Sequence, residues 1–227
     1  MEQDNIQIVK RRRLKKSGIL LIILLILILG YGIYYVYDIK ITNIYISGST
    51  ILNDQEIIEI SGLENYPNSL KNSTKKITEK LEKNPYIISS KVTKKNLFRE
   101  VYIEIEENKP LFYYQNKVIL KDGEKVDDKF DVPVVVNEIN EEVYDEFLDC
   151  MDHVDNDILI KISEIKYDPN DIDKKRFYLT MNDGNYVYVT LNKFEKINNY
   201  INIVKTFNEK KGILYLDSGE FFEIFEN

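Results

Sequence analysis

The chain has 227 residues, with 31 Lys or Arg against 38 Asp or Glu, and a formal net charge of −7. Residues 1–37 hold six of the cations and two of the acids, a net charge of +4, which leaves −11 for the remainder. Such an acidic remainder disfavours nucleic acid as a partner and disfavours docking onto anionic lipid by charge. The single cysteine, Cys150, excludes an intramolecular disulfide, so the fold must be stabilised by its core.

The first predicted element is a membrane-spanning helix at residues 18–37. This run is dominated by Ile and Leu and contains no charged side chain. At about 1.5 Å rise per residue its length corresponds to roughly 30 Å, the thickness of the hydrocarbon core of a bilayer. The run ends in tyrosines, where a cleaved signal peptide would have small residues. The sequence therefore favours a retained anchor over a cleaved signal.

A cluster of six cations precedes this segment and predicts its orientation. The positive-inside rule places these residues in the cytoplasm. They are Lys10, Arg11, Arg12, Arg13, Lys15 and Lys16. We therefore expect a single-pass membrane protein with a basic cytoplasmic tail at residues 1–17, a membrane helix at 18–37 and an extracytoplasmic part from residue 38 onward.

Residues 38–109 are predicted to form a compact α+β unit. Alternation around Tyr45 indicates a strand, and Asn53 with Glu56 forms a capping-box pattern for a helix that ends at Gly62. The apolar row expected on a second helix is Leu70, Thr74, Ile77 and Leu81. Two strands, YIISSKV and VYIEIEE, follow. The order strand, helix, helix, strand, strand predicts helices on one face of a three-stranded sheet.

Residues 110–227 are predicted to form a β-rich domain, mainly an antiparallel sheet, with helices on one face. The clearest hairpin is FYLTMNDGNYVYVTL, whose Asp-Gly centre indicates a type I′ turn. One helix is expected at residues 141–154 and another at 192–207, the second starting with an Asn-x-x-Glu cap at Asn192.

The apolar face of the helix at 141–154 is Val143, Phe147, Cys150 and Val154. A thiol on that face is expected to be a buried core residue rather than a nucleophile.

The chain offers little material for a catalytic or metal site. His153 is the only histidine, and the acids beside it predict a surface position rather than a general base. The sequence has no CxxC pair and no glycine-rich phosphate loop. Carboxylate pairs for glycoside hydrolysis stay open, because such a pair need only meet in space. No catalytic residue, cofactor or metal is predicted, and the predicted activity is binding.

The final segment, GILYLDSGEFFEIFEN, predicts a strand, a turn and a last strand with an unpaired edge. Such an edge is a template to which a partner can add a strand through main-chain hydrogen bonds. Strict alternation leaves one of two faces exposed: Phe221 with Glu223 and Phe225, or Phe222 with Ile224.

Three stretches, in this order, carry a resemblance to a known family. ITNIYISGSTILNDQEIIEISGL and LEKNPYIISSKVTKKNLFREVYIEIEENKP are similar to a POTRA domain, and YLTMNDGNYVYVTL is similar to part of a β domain. With the basic tail and the single span, they resemble the bacterial division family FtsQ/DivIB over nearly the whole chain. The segments DVPVV and LYL depart from the family's usual Leu-Pro and Asp-Leu-Arg.

The resemblance implies a non-enzymatic scaffold of the division septum. Members of the family bind the single-pass proteins FtsL and FtsB (DivIC), and through them act on septal peptidoglycan synthesis. It also implies that the FtsB-like partner adds a strand to the last strands of the β domain. The partner-binding residues implied in this way are Tyr215, Leu216, Asp217, Ser218, Gly219, Phe221, Phe222 and Glu223.

A charge at Phe222 or Ser218 is then expected to abolish partner binding while the fold stays intact. Two other functions stay open. The first is a membrane-anchored POTRA-type interaction or regulatory module outside division, and the second is an anchored cell-wall hydrolase.

Overall fold

A computed structural model describes residues 15–208 and 210–225, except for the side chain of Val36. Its first element is the helix α1 (Lys16–Tyr37), of which the segment Lys16–Tyr35 is long and apolar enough to cross a membrane. None of that segment is buried by the rest of the chain. A helix that is apolar on all sides and not covered by its own chain is typical of a membrane span. Of the six predicted orienting cations, Lys10, Arg11, Arg12 and Arg13 lie outside the described residues, and Lys15 and Lys16 lie at the start of α1.

The next five elements form a three-stranded domain. They are β1 (Asn43–Ser47), α2 (Asp54–Ser61), α3 (Thr74–Leu81), β2 (Ile87–Lys95) and β3 (Glu100–Glu107). The strand order is β1-β3-β2, with β1 parallel and β2 antiparallel to β3. Ile57 and Ile77 of the two helices pack in one core with Val101 and Ile103 of β3. The predicted arrangement of two helices on one face of a three-stranded sheet is confirmed.

The predicted ends of α2 are confirmed, whereas the predicted start of α3 is wrong. Asn53 accepts a hydrogen bond from the Glu56 amide while the Glu56 side chain accepts one from the Asn53 amide, and Gly62 closes the helix at φ +71°. α3 begins only after its N-cap Ser73. Leu70 therefore lies outside the helix, in an exposed loop. The capping serine, three residues after Leu70, fixes the start of the helix.

The rest of the chain is built on a nine-stranded mixed sheet. Its strand order is β12-β11-β10-β9-β8-β7-β4-β5-β6. Five of the pairings are antiparallel, and β4–β7, β7–β8 and β10–β11 are parallel. The strands are β4 (Pro110–Tyr114), β5 (Lys117–Leu120), β6 (Lys125–Val126), β7 (Val134–Val135), β8 (Ile162–Tyr167), β9 (Arg176–Met181), β10 (Tyr186–Thr190), β11 (Gly212–Tyr215) and β12 (Phe221–Ile224).

Helices cover one face of this sheet and leave the other to solvent. They are α4 (Glu141–Asp152), α5 (Asn156–Leu159), a 3₁₀ helix (Leu191–Asn199) and α6 (Tyr200–Thr206). The centre of the core is aromatic: the ring centroid of Phe147 lies 4.6 Å from that of Phe177 and 6.1 Å from that of Phe194. The predicted mainly antiparallel sheet with helices on one face is confirmed.

Two details of the predicted helices are wrong. The segment after β10 starts as a 3₁₀ helix with Thr190 as its N-cap, and Lys193 is non-helical at φ −132°, so Asn192 does not cap a regular α-helix. In α4 the buried face runs through Val143, Phe147 and Met151. Cys150 is only half-buried because a step of one residue rotates it about 100° away from Met151.

The predicted type I′ turn between β9 and β10 is also wrong. Gly184 has φ +84°, whereas Asp183 is not among the residues with positive φ. The Gly184 amide donates to the Met181 carbonyl at 3.0 Å, and the Met181 amide donates to the Asn185 carbonyl at 2.9 Å. This is a type I turn followed by a glycine bulge, the three-residue alternative for a hairpin.

The bulge aims the Asn185 side chain into the core. There its amide nitrogen donates to the Tyr200 hydroxyl at 2.9 Å, and its amide oxygen accepts from the Gly212 amide, also at 2.9 Å. Asn185 is fully buried, so these bonds satisfy a polar group that would otherwise be costly to desolvate. The β9–β10 turn is thus joined to the start of β11.

Candidate functional site

β12 is the outermost strand at one end of the nine-stranded sheet, and within the described residues no strand pairs with its outer side. It runs antiparallel to β11, with Leu214 opposite Phe222 and Tyr215 opposite Phe221. The other end of the sheet is β6, a strand of only two residues. β12 is therefore the longer of the two edges available for strand addition.

The main-chain groups of β12 alternate between β11 and the outer side. The amide of Phe225, just after β12, donates to the carbonyl of Lys211, just before β11, at 3.0 Å. In an antiparallel pair, residues that exchange hydrogen bonds alternate with residues that do not. With the observed register, Phe221 and Glu223 point their main-chain groups toward β11. The N–H and C=O groups of Phe222 and Ile224 therefore point to the outer side, where a partner strand would bind.

The side chains of β12 divide between two faces in a way that the sequence left open. Phe222 points inward, contacts the core and has its ring centroid 4.8 Å from that of Phe207. Phe221 points to the opposite face, is 51% exposed and stacks on Tyr215 at 4.5 Å. The exposed face is therefore the one with Phe221, Glu223 and Phe225.

Aromatic rings continue from β12 across the uncovered face of the sheet. Tyr215 is stacked on Tyr188 at 5.5 Å, and Tyr188 lies 4.8 Å from Tyr178 on β9. We call this surface the aromatic face; it comprises Tyr178, Tyr186, Tyr188, Tyr215, Phe221 and Phe225. The Tyr215 hydroxyl donates to the Glu223 carboxylate at 3.0 Å, and this bond raises the pKa of Tyr215.

The turn before β12 is anchored by an ion pair that joins Asp217 to Arg176 at the start of β9. Arg176 Nε donates to Asp217 Oδ2 at 2.8 Å, and its Nη1 donates to Asp168 Oδ2 at 2.7 Å. The guanidinium carbon also lies 3.7 Å from the centroid of the Tyr188 ring. Burial raises the pKa of Asp217, but the hydrogen bonds from Arg176 and Ser218 outweigh it, so the pKa lies below its ordinary value.

Two lysines of the 3₁₀ helix hold the same turn from the other side. Lys193 Nζ donates to the Asp217 carbonyl at 3.0 Å, and Lys196 forms an ion pair with Glu220. The hydrogen bond from Lys196 lowers the pKa of Glu220. The turn is thus fixed to β9 and to the 3₁₀ helix, so that β12 is presented on a rigid base.

The structure brings the eight predicted partner-binding residues together in one hairpin but gives them different exposure. Leu216 is buried in the core, and Phe222 is partly buried there, so neither offers its side chain to a partner. Ser218, Phe221 and Glu223 are exposed. Tyr215, Asp217 and Gly219 are half-buried.

Sequence reasoning missed the residues that support this hairpin. Arg176 lies 41 positions before Asp217, and no local pattern links the two. The tyrosines of the aromatic face had a signal, because YVYV and FYL alternate large aromatic with buried apolar residues. That alternation could have indicated which face of the sheet is aromatic.

Other chemistry is sparse in the part of the chain that the structure describes. It contains no group of three or more His, Cys, Asp or Glu placed to hold a metal ion. His153 is exposed and its Nδ1 lies 2.8 Å from the Asp149 carbonyl, a contact that raises the pKa of the imidazole.

The chain is similar in sequence to known proteins over most of its length. Residues 39–108 match the FtsQ-type POTRA domain model. The chain is 27% identical over 227 residues to the cell division protein DivIB of Listeria monocytogenes, covering 94% of this chain and 84% of that protein. The chain is a relative of the DivIB cell division proteins. The predicted resemblance to the FtsQ/DivIB family is thereby confirmed.

The chain is also similar in sequence to two further proteins named DivIB. That of Bacillus subtilis is 26% identical over 237 residues, covering 98% of this chain and 90% of the relative. That of Bacillus anthracis is 27% identical over 229 residues, covering 93% and 86%. A solved structure of the major extracytoplasmic domain of the trans isomer of DivIB from Geobacillus stearothermophilus is 23% identical, with a TM-score of 0.35, over 43% of this chain and 90% of that one.

Proposed function

We propose that this protein is a non-enzymatic scaffold of the bacterial division machinery that binds a partner by β-strand addition at β12. The observation that carries the proposal is the outer side of β12. The main-chain groups of Phe222 and Ile224 point outward there, and the exposed aromatic face lies beside them. Main-chain hydrogen bonds supply affinity in strand addition, and alternate side chains supply specificity. The names of the relatives support a role in division.

The proposed partners are the FtsL-like and FtsB/DivIC-like single-pass division proteins, as the resemblance to FtsQ/DivIB implies. Through them the scaffold would act on the septal peptidoglycan synthase. The added strand must present an apolar side chain to Phe221 and Phe225, and a cation or hydrogen-bond donor to Glu223. We further propose that the amino terminus is cytoplasmic and that residues 38–227 act on the extracytoplasmic side at the septum.

The direct test is a pull-down of the full chain in detergent with the extracytoplasmic segments of FtsL-like and FtsB/DivIC-like proteins. Two variants test the edge. Phe221→Lys changes the exposed face, and Ile224→Pro removes an N–H group that points outward. Proline is tolerated at such a position of an edge strand. The matched control is Ile172→Lys, at a side chain that is 96% exposed and remote in sequence from β12. We expect both edge variants to lose binding and the control to retain it.

Unchanged binding by both edge variants would contradict strand addition at β12 while leaving a scaffold role open. Cellular location separates the proposal from a module outside division, because a division scaffold must concentrate at midcell. An anchored wall hydrolase would instead lose activity on substitution of a particular exterior acid. A scaffold should tolerate nearly all such substitutions.

A further inference from the structure

A second surface lies where the POTRA domain meets α1. Only residues 38–42 separate the end of α1 from the start of β1. At about 3.5 Å per residue, five residues span at most about 18 Å. Ile39 and Ile41 are buried in the domain, which shortens the connection further. The POTRA domain is therefore held next to the membrane that α1 crosses.

Two loops of the domain contact the tyrosine-rich end of α1. The Asn68 side-chain amide donates to the Tyr37 carbonyl, and Lys71 Nζ lies 5.8 Å from the centroid of the Tyr37 ring. From the β2–β3 hairpin, Arg99 Nη2 donates to the Tyr35 hydroxyl at 3.2 Å. We call residues 66–71 and 96–99 together the membrane-proximal loops.

The two loops are tied to each other. Lys94, at the end of β2, donates from Nζ to the Ser69 carbonyl at 2.5 Å and to the Ser69 hydroxyl at 3.0 Å. Burial lowers the pKa of Lys94, as expected for an ammonium that is withdrawn from water. The loops therefore form one structural unit beside α1.

These loops expose large apolar side chains toward the region of the membrane. Leu97 is 76% exposed and Tyr66 is 68% exposed, and Phe98 and Leu70 are exposed as well. Leu70 lines an apolar groove of about 530 Å³ together with α1 residues from Ile28 to Tyr37. Since that part of α1 lies in the span, Leu70 reaches the depth of the apolar part of the helix.

The tip of the hairpin has an unusual backbone conformation. Asn96, Leu97 and Phe98 have φ values of +48°, +52° and +65°, the left-handed region. Glycine and asparagine are preferred there, whereas leucine and phenylalanine are disfavoured. Leucine and phenylalanine at such positions, exposed to solvent and strained, are unfavourable for a soluble hairpin. A membrane interface would accept their apolar side chains and remove the cost of exposing these side chains to water.

Charge does not oppose a membrane contact at this end. Residues 38–109 carry eleven Lys or Arg and eleven Asp or Glu, whereas residues 110–227 carry 14 and 25. The acidic excess of the chain outside the tail therefore belongs entirely to the β domain. Lys40, Lys71, Lys95 and Arg99 lie in or next to the membrane-proximal loops, where phosphate head groups would meet them.

We propose that the membrane-proximal loops are embedded in the interface of the same bilayer that α1 crosses. Tyr66, Leu70, Leu97 and Phe98 would then lie among the head groups and upper acyl chains, as the apolar face of an interfacial element does. This contact fixes the orientation of the POTRA domain on the membrane. It is independent of partner binding at β12.

The chain contains no tryptophan, so Phe98→Trp and Leu70→Trp each introduce a single fluorescent reporter into the full chain. Each variant is reconstituted into unilamellar vesicles of phosphatidylcholine and phosphatidylglycerol that contain lipid spin-labelled near the top of the acyl chain. Tyr34→Trp, in the outer part of α1, gives the quenching expected in the interface. Ile172→Trp, in the β domain, gives the quenching expected in water.

We expect the reporters at positions 98 and 70 to be quenched about as strongly as the one at position 34. Quenching no stronger than at position 172 would overturn the proposal, since the vesicles contain no other protein to which the loops could bind. Both replaced side chains are exposed, and circular dichroism of each variant checks that the fold is kept. A third reporter, Leu97→Trp, at the most exposed of these positions, repeats the test independently.

Discussion

Arg176 and Asp217 are joined by an ion pair with 2.8 Å between Nε and Oδ2, which ties the turn before the last strand to the start of β9. Both side chains are mostly buried. The guanidinium also covers Tyr188 and binds Asp168, so one arginine connects the edge hairpin, the aromatic face and the β8–β9 loop.

Asp217→Asn is expected to lower the free energy of unfolding by about 1–3 kcal/mol, the range for a charge-assisted hydrogen bond lost from a mostly buried site. The effect should be largest at the edge hairpin, measured as faster hydrogen exchange at residues 221–225. Glu79→Gln on α3 is the matched control, because its ion pair with Lys75 is exposed and should contribute little. Equal protection of β12 in Asp217→Asn and the wild type would contradict an anchoring role.

Gly212→Ala is expected to displace β12. A Cβ at this position would lie 2.1 Å from the Glu223 carbonyl oxygen and 2.9 Å from the Phe222 ring, so the strand must move away. Overpacking of this kind typically costs about 1–3 kcal/mol. Hydrogen exchange at β12 and partner binding report the displacement. Gly219→Ala serves as the control for hydrogen exchange, since its Cβ would meet nothing closer than 3.4 Å.

Phe222→Lys is expected to destabilise the protein, contrary to the expectation from the sequence that the fold would stay intact. The side chain packs on Phe207 and the core, and a charge there is desolvated unless the strand detaches. Phe221→Lys should leave thermal unfolding of the full chain in detergent nearly unchanged, because Phe221 is exposed. If the two variants unfold at the same temperature, the assignment of the faces is wrong.

Stability at acidic pH should depend on Glu107 at the end of β3. Its carboxylate accepts hydrogen bonds from the Ser49 hydroxyl at 2.8 Å, the Thr50 hydroxyl at 2.7 Å and the Ile51 amide at 2.7 Å. Burial raises the pKa of Glu107, but these hydrogen bonds lower it by more, so that the net pKa lies below the usual 4.5.

A depressed carboxyl pKa contributes stability that is fully present above the unfolded value and is lost as pH falls through the folded value. We therefore expect the contribution of Glu107 to be complete above the usual pKa of 4.5 and to be lost as pH falls through the lower pKa of the folded state. Glu107→Gln should be less stable than the wild type at neutral pH and should lose less stability on acidification. Parallel pH profiles of the two proteins would contradict this linkage.

Cys150 should react slowly although it is the only thiol in the chain. Burial, followed by the nearby Glu146, Asp149 and Glu195, raises the pKa of the thiol from 9.0 to about 11. A rise of this size in the pKa lowers the thiolate fraction at neutral pH about 100-fold. Alkylation of the folded chain should therefore be slower than alkylation of the unfolded chain by a similar factor. Native alkylation as fast as in denaturant would show that the thiol is accessible and unperturbed.

The sequence by itself determined the features that depend on neighbours within one or two turns of chain. The uncharged apolar run determined α1, the pair Asn53 and Glu56 determined the start of α2, and the alternation around Tyr45 identified β1. The same local patterns identified the last hairpin as the candidate site. Periodicity and capping act over at most about seven residues, so they can be read without knowing the fold.

Tertiary structure decided what depends on distant partners. Alternation left two faces of β12 open, and only the packing of Phe222 against Phe207 selected one of them. The ion pair of Asp217 with Arg176 and the contact of Arg99 with Tyr35 join residues 41 and 64 positions apart. The order of nine strands in one sheet, which makes β12 an edge, likewise depends on long-range pairing and has no counterpart in local sequence.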